Sequence, residues 1–169
     1  MWQRRTYHEC ASELRMISED FRSAYTNRFG WDRSRRDQIL RDTSTRGVEI
    51  LRILALAVRS DQDFGKTTTD PTPVGAVKID IPAADVNALV TSYRPPYRAL
   101  GGFGPLQLRG ALNKVAHANP IGGGFFADED THDLILMGQQ HGRPWAAVIS
   151  LIDLCSAIES LPDASVRGR

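Results

Sequence analysis

The sequence predicts an α+β fold, mainly helical, over one domain spanning residues 1–169. Three observations predict it. Apolar residues recur at spacings of three and four along two long segments and several shorter ones. Helix-start signals precede three of those segments. Between residues 125 and 150 the period changes from helical to alternating. The expected architecture is a helical bundle with a small antiparallel β-hairpin or sheet, about 122–150, inserted before the C-terminal helix.

The first helix is expected over 6–27. Thr6 and Glu9 stand at capping-box spacing. Tyr7, Cys10, Ala11, Leu14, Ile17, Phe21, Ala24 and Tyr25 make its buried stripe. Gly30 suits the break that follows. Ser34 and Asp37 stand at the spacing of a second capping box, and a helix over 34–60 follows. Its stripe is Leu40, Gly47, Ile50, Leu51, Leu54, Ala57 and Val58. A glycine in mid-helix costs roughly 1 kcal/mol against alanine, so a close approach of the first helix is expected at Gly47. The two helices should pack antiparallel.

Residues 61–73 hold Gly65, the run Thr67-Thr68-Thr69, Pro71 and Pro73 and read as a loop. Val74 to Ile81 reads as a short strand. Pro82 opens a third helix, which Pro95-Pro96 ends. Pro105 suits the first position of a fourth helix running to about Ala118. Gly122 to Gly124 is a turn. Phe125-Phe126, Asp133 to Gln139 and Arg143 to Ser150 alternate as strands, with a hairpin turn at His141-Gly142. Ser150 and Asp153 begin the last helix, which carries Leu151, Leu154, Cys155, Ile158 and Leu161 on one face. Asp163 to Arg169 should fray.

Composition narrows the class. Hydrophobic residues make up 41% and charged residues 24%, which is ordinary for a globular domain. No apolar run reaches the roughly 18 residues of a membrane helix. Met1 to Thr6 lacks the apolar core of a secretory signal. Two cysteines, Cys10 and Cys155, make no disulfide framework, so a reducing cytoplasm is expected. No cofactor motif is present: Gly122-Gly123-Gly124 lacks the Lys-Ser/Thr of a P-loop. His8, Cys10, His132, His141 and Cys155 lack zinc spacing. Asp128-Glu129-Asp130 reads as a cation ligand set or as an acidic turn.

Net charge is +1, without the basic excess of a strong nucleic-acid binder. The charge is nevertheless uneven: residues 1–60 hold 12 Arg against 8 acids. Within them, Arg28, Arg33, Arg35, Arg36, Arg41 and Arg46 surround Phe29 and Trp31. Such a segment can pair phosphates and stack bases. Asp32, Asp37 and Asp42 dilute it, and a solvated helix face is the competing reading.

The fourth helix carries the other candidate site. Arg109, Asn113 and His117 fall at i, i+4 and i+8 beside the buried stripe of Leu108, Leu112 and Val115. Arginine neutralises phosphate, asparagine positions it, and histidine moves protons near neutral pH. The competing reading makes His117 a C-terminal cap favoured by the helix dipole.

Leu112-Asn113-Lys114-Val115-Ala116-His117-Ala118 resembles the motif of the HEPN superfamily, small helical-bundle proteins. Many of these are bacterial ribonucleases of toxin–antitoxin, CRISPR and phage-defence systems. Leu112 stands where the family's arginine is usual, and Arg109 lies outside the family spacing. The resemblance implies a cytoplasmic homodimer that acts on or senses RNA. An active member would be a metal-independent endoribonuclease. His117 would then be the acid/base, Asn113 a positioning group, and Arg109 or Lys114 the replacement for the missing cation and an RNA contact; Arg33 and Arg36 of the basic aromatic segment are the further expected RNA contacts. The alternative is a non-catalytic interaction module of the regulatory, immunity or antitoxin kind, with a protein partner.

Overall fold

The computed structural model describes residues 5–166. The ends of the two stretches read for a signal and for fraying, 1–4 and 167–169, lie outside the described residues. The elements run β1 (Arg5–Thr6), α1 (Tyr7–Tyr25), α2 (Arg33–Asp63), β2 (Pro73–Ile79) and α3 (Ala83–Ser92). A 3-10 turn (Tyr97–Ala99) precedes β3 (Gly104–Gln107) and α4 (Leu108–His117). Then follow β4 (Gly124–Ala127), β5 (His132–Gln140), β6 (Arg143–Ser150), α5 (Leu151–Glu159) and β7 (Ser165–Val166). The fold is α+β and mainly helical, as its periodicities predict.

The capping box at Thr6 forms: its side chain accepts from the Glu9 amide, and Glu9 accepts from the Thr6 amide at 2.8 Å. At α2 the cap is Asp32, which accepts from the Arg35 amide at 3.0 Å, so Ser34 does not begin the helix. Ser150 caps α5 by accepting from the Asp153 amide.

The five-stranded antiparallel sheet has the order β3-β2-β6-β5-β4. Segment 122–150 supplies three of these strands and turns at His141-Gly142, where both residues have positive φ. The sheet is larger than the expected insertion, because β2 and β3 join it from earlier in the chain. Pro105 belongs to β3, so α4 begins later than its proline predicts. Leu106 shows why: it is buried in the main core as a strand residue.

One sheet face carries Val74, Leu134, Leu136, Trp145, Ala147 and Ile149 into the main core with α1, α2, α4 and α5. The other carries Ala76, Ile135 and Val148 against Tyr93 and Tyr97 near α3. The α1–α2 pair is antiparallel: Glu13 meets Arg46 at 2.8 Å, and Tyr7 bonds Asp61. Residues 163–166 do not fray. β7 pairs with β1, and the His8 amide donates to Asp163 at 3.1 Å.

At Gly47 the helices do approach, with Leu14 and Ile17 over it. A β-carbon there would stand 3.5 Å from Ile17 Cγ2, an ordinary contact. The approach does not require glycine.

Candidate nucleic-acid interface

The α1–α2 hairpin closes through a turn that both helices fix. α1 ends at Tyr25, and Asn27 and Gly30 take positive φ. Arg36 reaches back from α2 and donates to the carbonyls of Ala24 at 3.0 Å and Tyr25 at 3.3 Å. The last carbonyls of a helix lack partners within it; that of Ala24 also accepts from the Asn27 amide at 3.2 Å. Arg36 is therefore occupied as a cap and is half-buried, rather than free for phosphate.

What the turn exposes is aromatic and cationic. Phe29 is 61% exposed. Its ring packs against Trp31, with centroids 5.1 Å apart and planes at 42°. The Arg35 guanidinium lies 4.8 Å from the Trp31 ring and that of Arg28 lies 5.8 Å from Phe29. The Arg33 side chain is 93% exposed, with only Asp37 near it at 3.8 Å. Among the described residues, Arg28 and Arg35 enter no ion pair. The acids that dilute this segment are partly occupied: Asp32 caps α2, and Asp42 accepts from Gln38 at 2.7 Å. A small polar notch behind the turn is lined by Glu19, Arg22, Ser23, Thr26, Arg28 and Glu129. Its two carboxylates make it a poor seat for an anion.

The α4 residues separate into core and surface. Leu112 is fully buried, which fills the position of the family's arginine with core. Lys114, expected as an RNA contact, is only 6% exposed. Its ammonium sits 4.4 Å from the Trp145 ring centre and donates to Gln140 Oε1 at 3.1 Å. Burial holds its pKa below the ordinary lysine value. Arg109 pairs with Asp63 at the end of α2. Asn113 is half-buried and His117 exposed. Arg109 and His117 stay about 12 Å apart along the helix axis at 1.5 Å per residue. Arg33 lies further still from this group, because α2 has 31 residues between its start and Asp63. That is roughly 45 Å of helix.

Two polar groups have no sequence signal of their own. His132 is buried between α1 and the start of β5. Its Nδ1 lies 3.0 Å from Ser18 Oγ, and its ring stacks on Phe21 at 4.7 Å. Burial, and secondarily the Arg22 charge, push its pKa down to about 4. Asp133 is 2% exposed and accepts from the Tyr93 hydroxyl at 2.6 Å; burial raises its pKa. Neighbouring positions in β5 thus face opposite sides of the sheet, each with a polar partner from a different layer. The acidic triplet 128–130 makes a turn, in which Asp128 Oδ1 accepts from the amides of Asp130 and Thr131. Among the described residues, no three metal-binding side chains gather, and no helix is long and apolar enough to cross a membrane. Cys10 and Cys155 are both free and buried.

Comparison with protein-family models, curated proteins and solved structures finds no match for this chain.

Proposed function

We propose that this protein binds single-stranded RNA through the tip of its α1–α2 hairpin and does not cleave it. The observation that carries the reading is the exposed Phe29 ring packed on the half-buried Trp31, the two bracketed by Arg28 and Arg35. Bases stack on aromatic faces for about 1–3 kcal/mol each. Arginines beside the rings add phosphate contacts and cation–π attraction. The turn is held from both helices, so its rings are ordered before a ligand arrives and less entropy is lost on binding.

This keeps the RNA of the HEPN resemblance and departs from it on cleavage. Attack by a 2′-hydroxyl builds charge on the phosphate, which needs a cation close to the proton-transfer group. Leu112 and Lys114 are in the core, and Arg109 is paired with Asp63 away from His117. His117 has no cation beside it on its own helix.

The test is fluorescence anisotropy with a labelled single-stranded RNA of about ten nucleotides, long enough to cover one stacking site. Wild type should bind, more weakly as salt rises. Removing both rings, Phe29→Ala with Trp31→Ala, should weaken binding at least about tenfold. Arg33→Ala should weaken it less and flatten the salt dependence. His117→Ala should change nothing, and the RNA should stay intact. Equal binding by the double variant sinks the proposal. RNA cleavage by wild type that His117→Ala abolishes restores the ribonuclease reading.

A further inference from the structure

A column of rings leads out of the core to the base of the hairpin tip. His132, Phe21 and Tyr25 lie nearly parallel, with centroids 4.7 and 6.0 Å apart and planes at 16° and 9°. Phe125 of β4 stands edge-on to both Phe21 and Tyr25, 5.1 Å from each. His132 and Phe21 are buried, whereas Tyr25 is 46% exposed and Phe125 38%. Among the described residues no third ring covers Tyr25. The buried rings brace it from within, and the column ends on it at the surface.

Tyr25 is the last residue of α1, four before Phe29. Fully extended, that stretch would part their Cα atoms by at most about 14 Å. It is not extended: the amides of Thr26, Asn27, Arg28 and Gly30 donate back to the carbonyls of Arg22, Ala24, Ser23 and Asn27. Arg36 of α2 also donates to the Tyr25 carbonyl. The spacing of the two ring sites is therefore set before any ligand binds. Arg28 stands between them in the chain. It is exposed, enters no ion pair among the described residues, and holds its guanidinium 5.8 Å from the Phe29 ring.

We infer that Tyr25 is a second stacking subsite for the strand bound at the tip. One base stacks on the Phe29–Trp31 pair, another further along the same strand stacks on Tyr25, and Arg28 neutralises the phosphate between them. The inference rests on the reading of the tip as an RNA site. Every base has a face to stack, so two rings at a fixed spacing select for a strand rather than for a sequence. The track also has an end. Beyond Phe125 the turn after β4 presents Glu129 and Asp130, which are exposed and enter no ion pair among the described residues. Their carboxylates repel phosphate, so the strand runs from the tip to Tyr25 and stops there.

Photo-cross-linking on the full chain tests this. A single-stranded RNA of about ten nucleotides carries one photoreactive iodouridine, moved along the strand from probe to probe. Trypsin cuts after Arg22, Arg28 and Arg33, so Tyr25 and the Phe29–Trp31 pair fall on separate peptides, residues 23–28 and 29–33. Both peptides should be cross-linked, each from its own stretch of the strand. Anisotropy gives the second readout. Tyr25→Leu still packs against Phe21 but offers no ring, and should weaken binding at least about fivefold. Tyr25→Phe keeps the ring and should bind as wild type does. Circular dichroism checks that each variant is folded. Cross-links on 29–33 alone, with Tyr25→Leu binding as tightly as wild type, overturn the inference and leave the tip reading standing; the surface of Tyr25 and Phe125 would then belong to a protein contact. Cross-links on neither peptide overturn both.

Discussion

His132 makes the fold acid-sensitive by an amount the structure sets. Its pKa falls from 6.5 to about 4 because its ring is enclosed between α1 and β5, with Arg22 adding repulsion. The unfolded chain takes up a proton near pH 6.5, and the folded chain resists until about pH 4. Over that window the unfolded state binds more protons, so stability falls as pH falls. Above pH 6.5 the full stability is present. Each pH unit between the two values removes about 1.36 kcal/mol, so near pH 5 about 2 kcal/mol is lost and below pH 4 the loss levels at about 3 kcal/mol. Asp133 acts with the opposite sign, since its pKa is raised by burial and its protonation in the fold favours acid. A differential assay separates the two. Urea unfolding is followed between pH 7.5 and 4.5 for wild type and for His132→Phe, which keeps a ring against Phe21 but cannot titrate. The variant loses some stability at neutral pH, because the Ser18 hydroxyl loses its partner. Its stability should nonetheless fall about 2 kcal/mol less than that of wild type on acidification to near pH 5. Parallel pH profiles for the two proteins would refute the reasoning.

Two glycines should respond in opposite directions. Gly138→Ala drives a β-carbon to 2.5 Å from the Trp145 indole and 2.9 Å from the His117 carbonyl. It should cost about 2 kcal/mol by overpacking, read by thermal or urea unfolding, with a change in Trp145 fluorescence. Gly47→Ala meets only ordinary contacts and should stabilise by about 0.5–1 kcal/mol through helix propensity. A loss of stability at Gly47→Ala would mean that α1 packs closer than its contacts indicate.

The helices are readable in the sequence wherever a local signal and a tertiary requirement agree. Thr6 and Glu9 cap α1 and Tyr7 to Ala24 bury its stripe, so one reading serves both. The hairpin at His141-Gly142 is readable for the same reason, because its turn needs positive φ and its strands alternate. At 104–107 the two disagree. Pro105 favours a helix start, but the pairing of Gly104 to Gln107 with β2 extends the sheet and buries Leu106. Long-range pairing outweighs a local preference of this size, and no window of sequence contains both strands. Ser34 misleads in a smaller way: Asp32, two residues earlier, offers a stronger acceptor to the same helix start.

The α4 motif shows why a spacing pattern alone does not make a site. Positions 112, 113, 114 and 117 look polar or basic in one dimension, apart from Leu112. In the fold, position 114 points at Trp145, and Gly138 lets that indole and the α4 backbone close on the sheet. A lysine survives there because its long apolar stem packs while its ammonium finds a ring face and one amide oxygen. The charge is used up inside the protein, and what α4 offers outside is His117 and an arginine already paired. The hairpin tip is the reverse case. In sequence its acids look like neutralisers of its arginines, but one is a helix cap and another is bound to a glutamine. The charge available to a ligand is set by which side chains the fold has already used. By that measure the tip, with Arg28 and Arg35 beside the exposed Phe29 and the half-buried Trp31, has more unpaired charge and open ring surface than the helix that carries the motif.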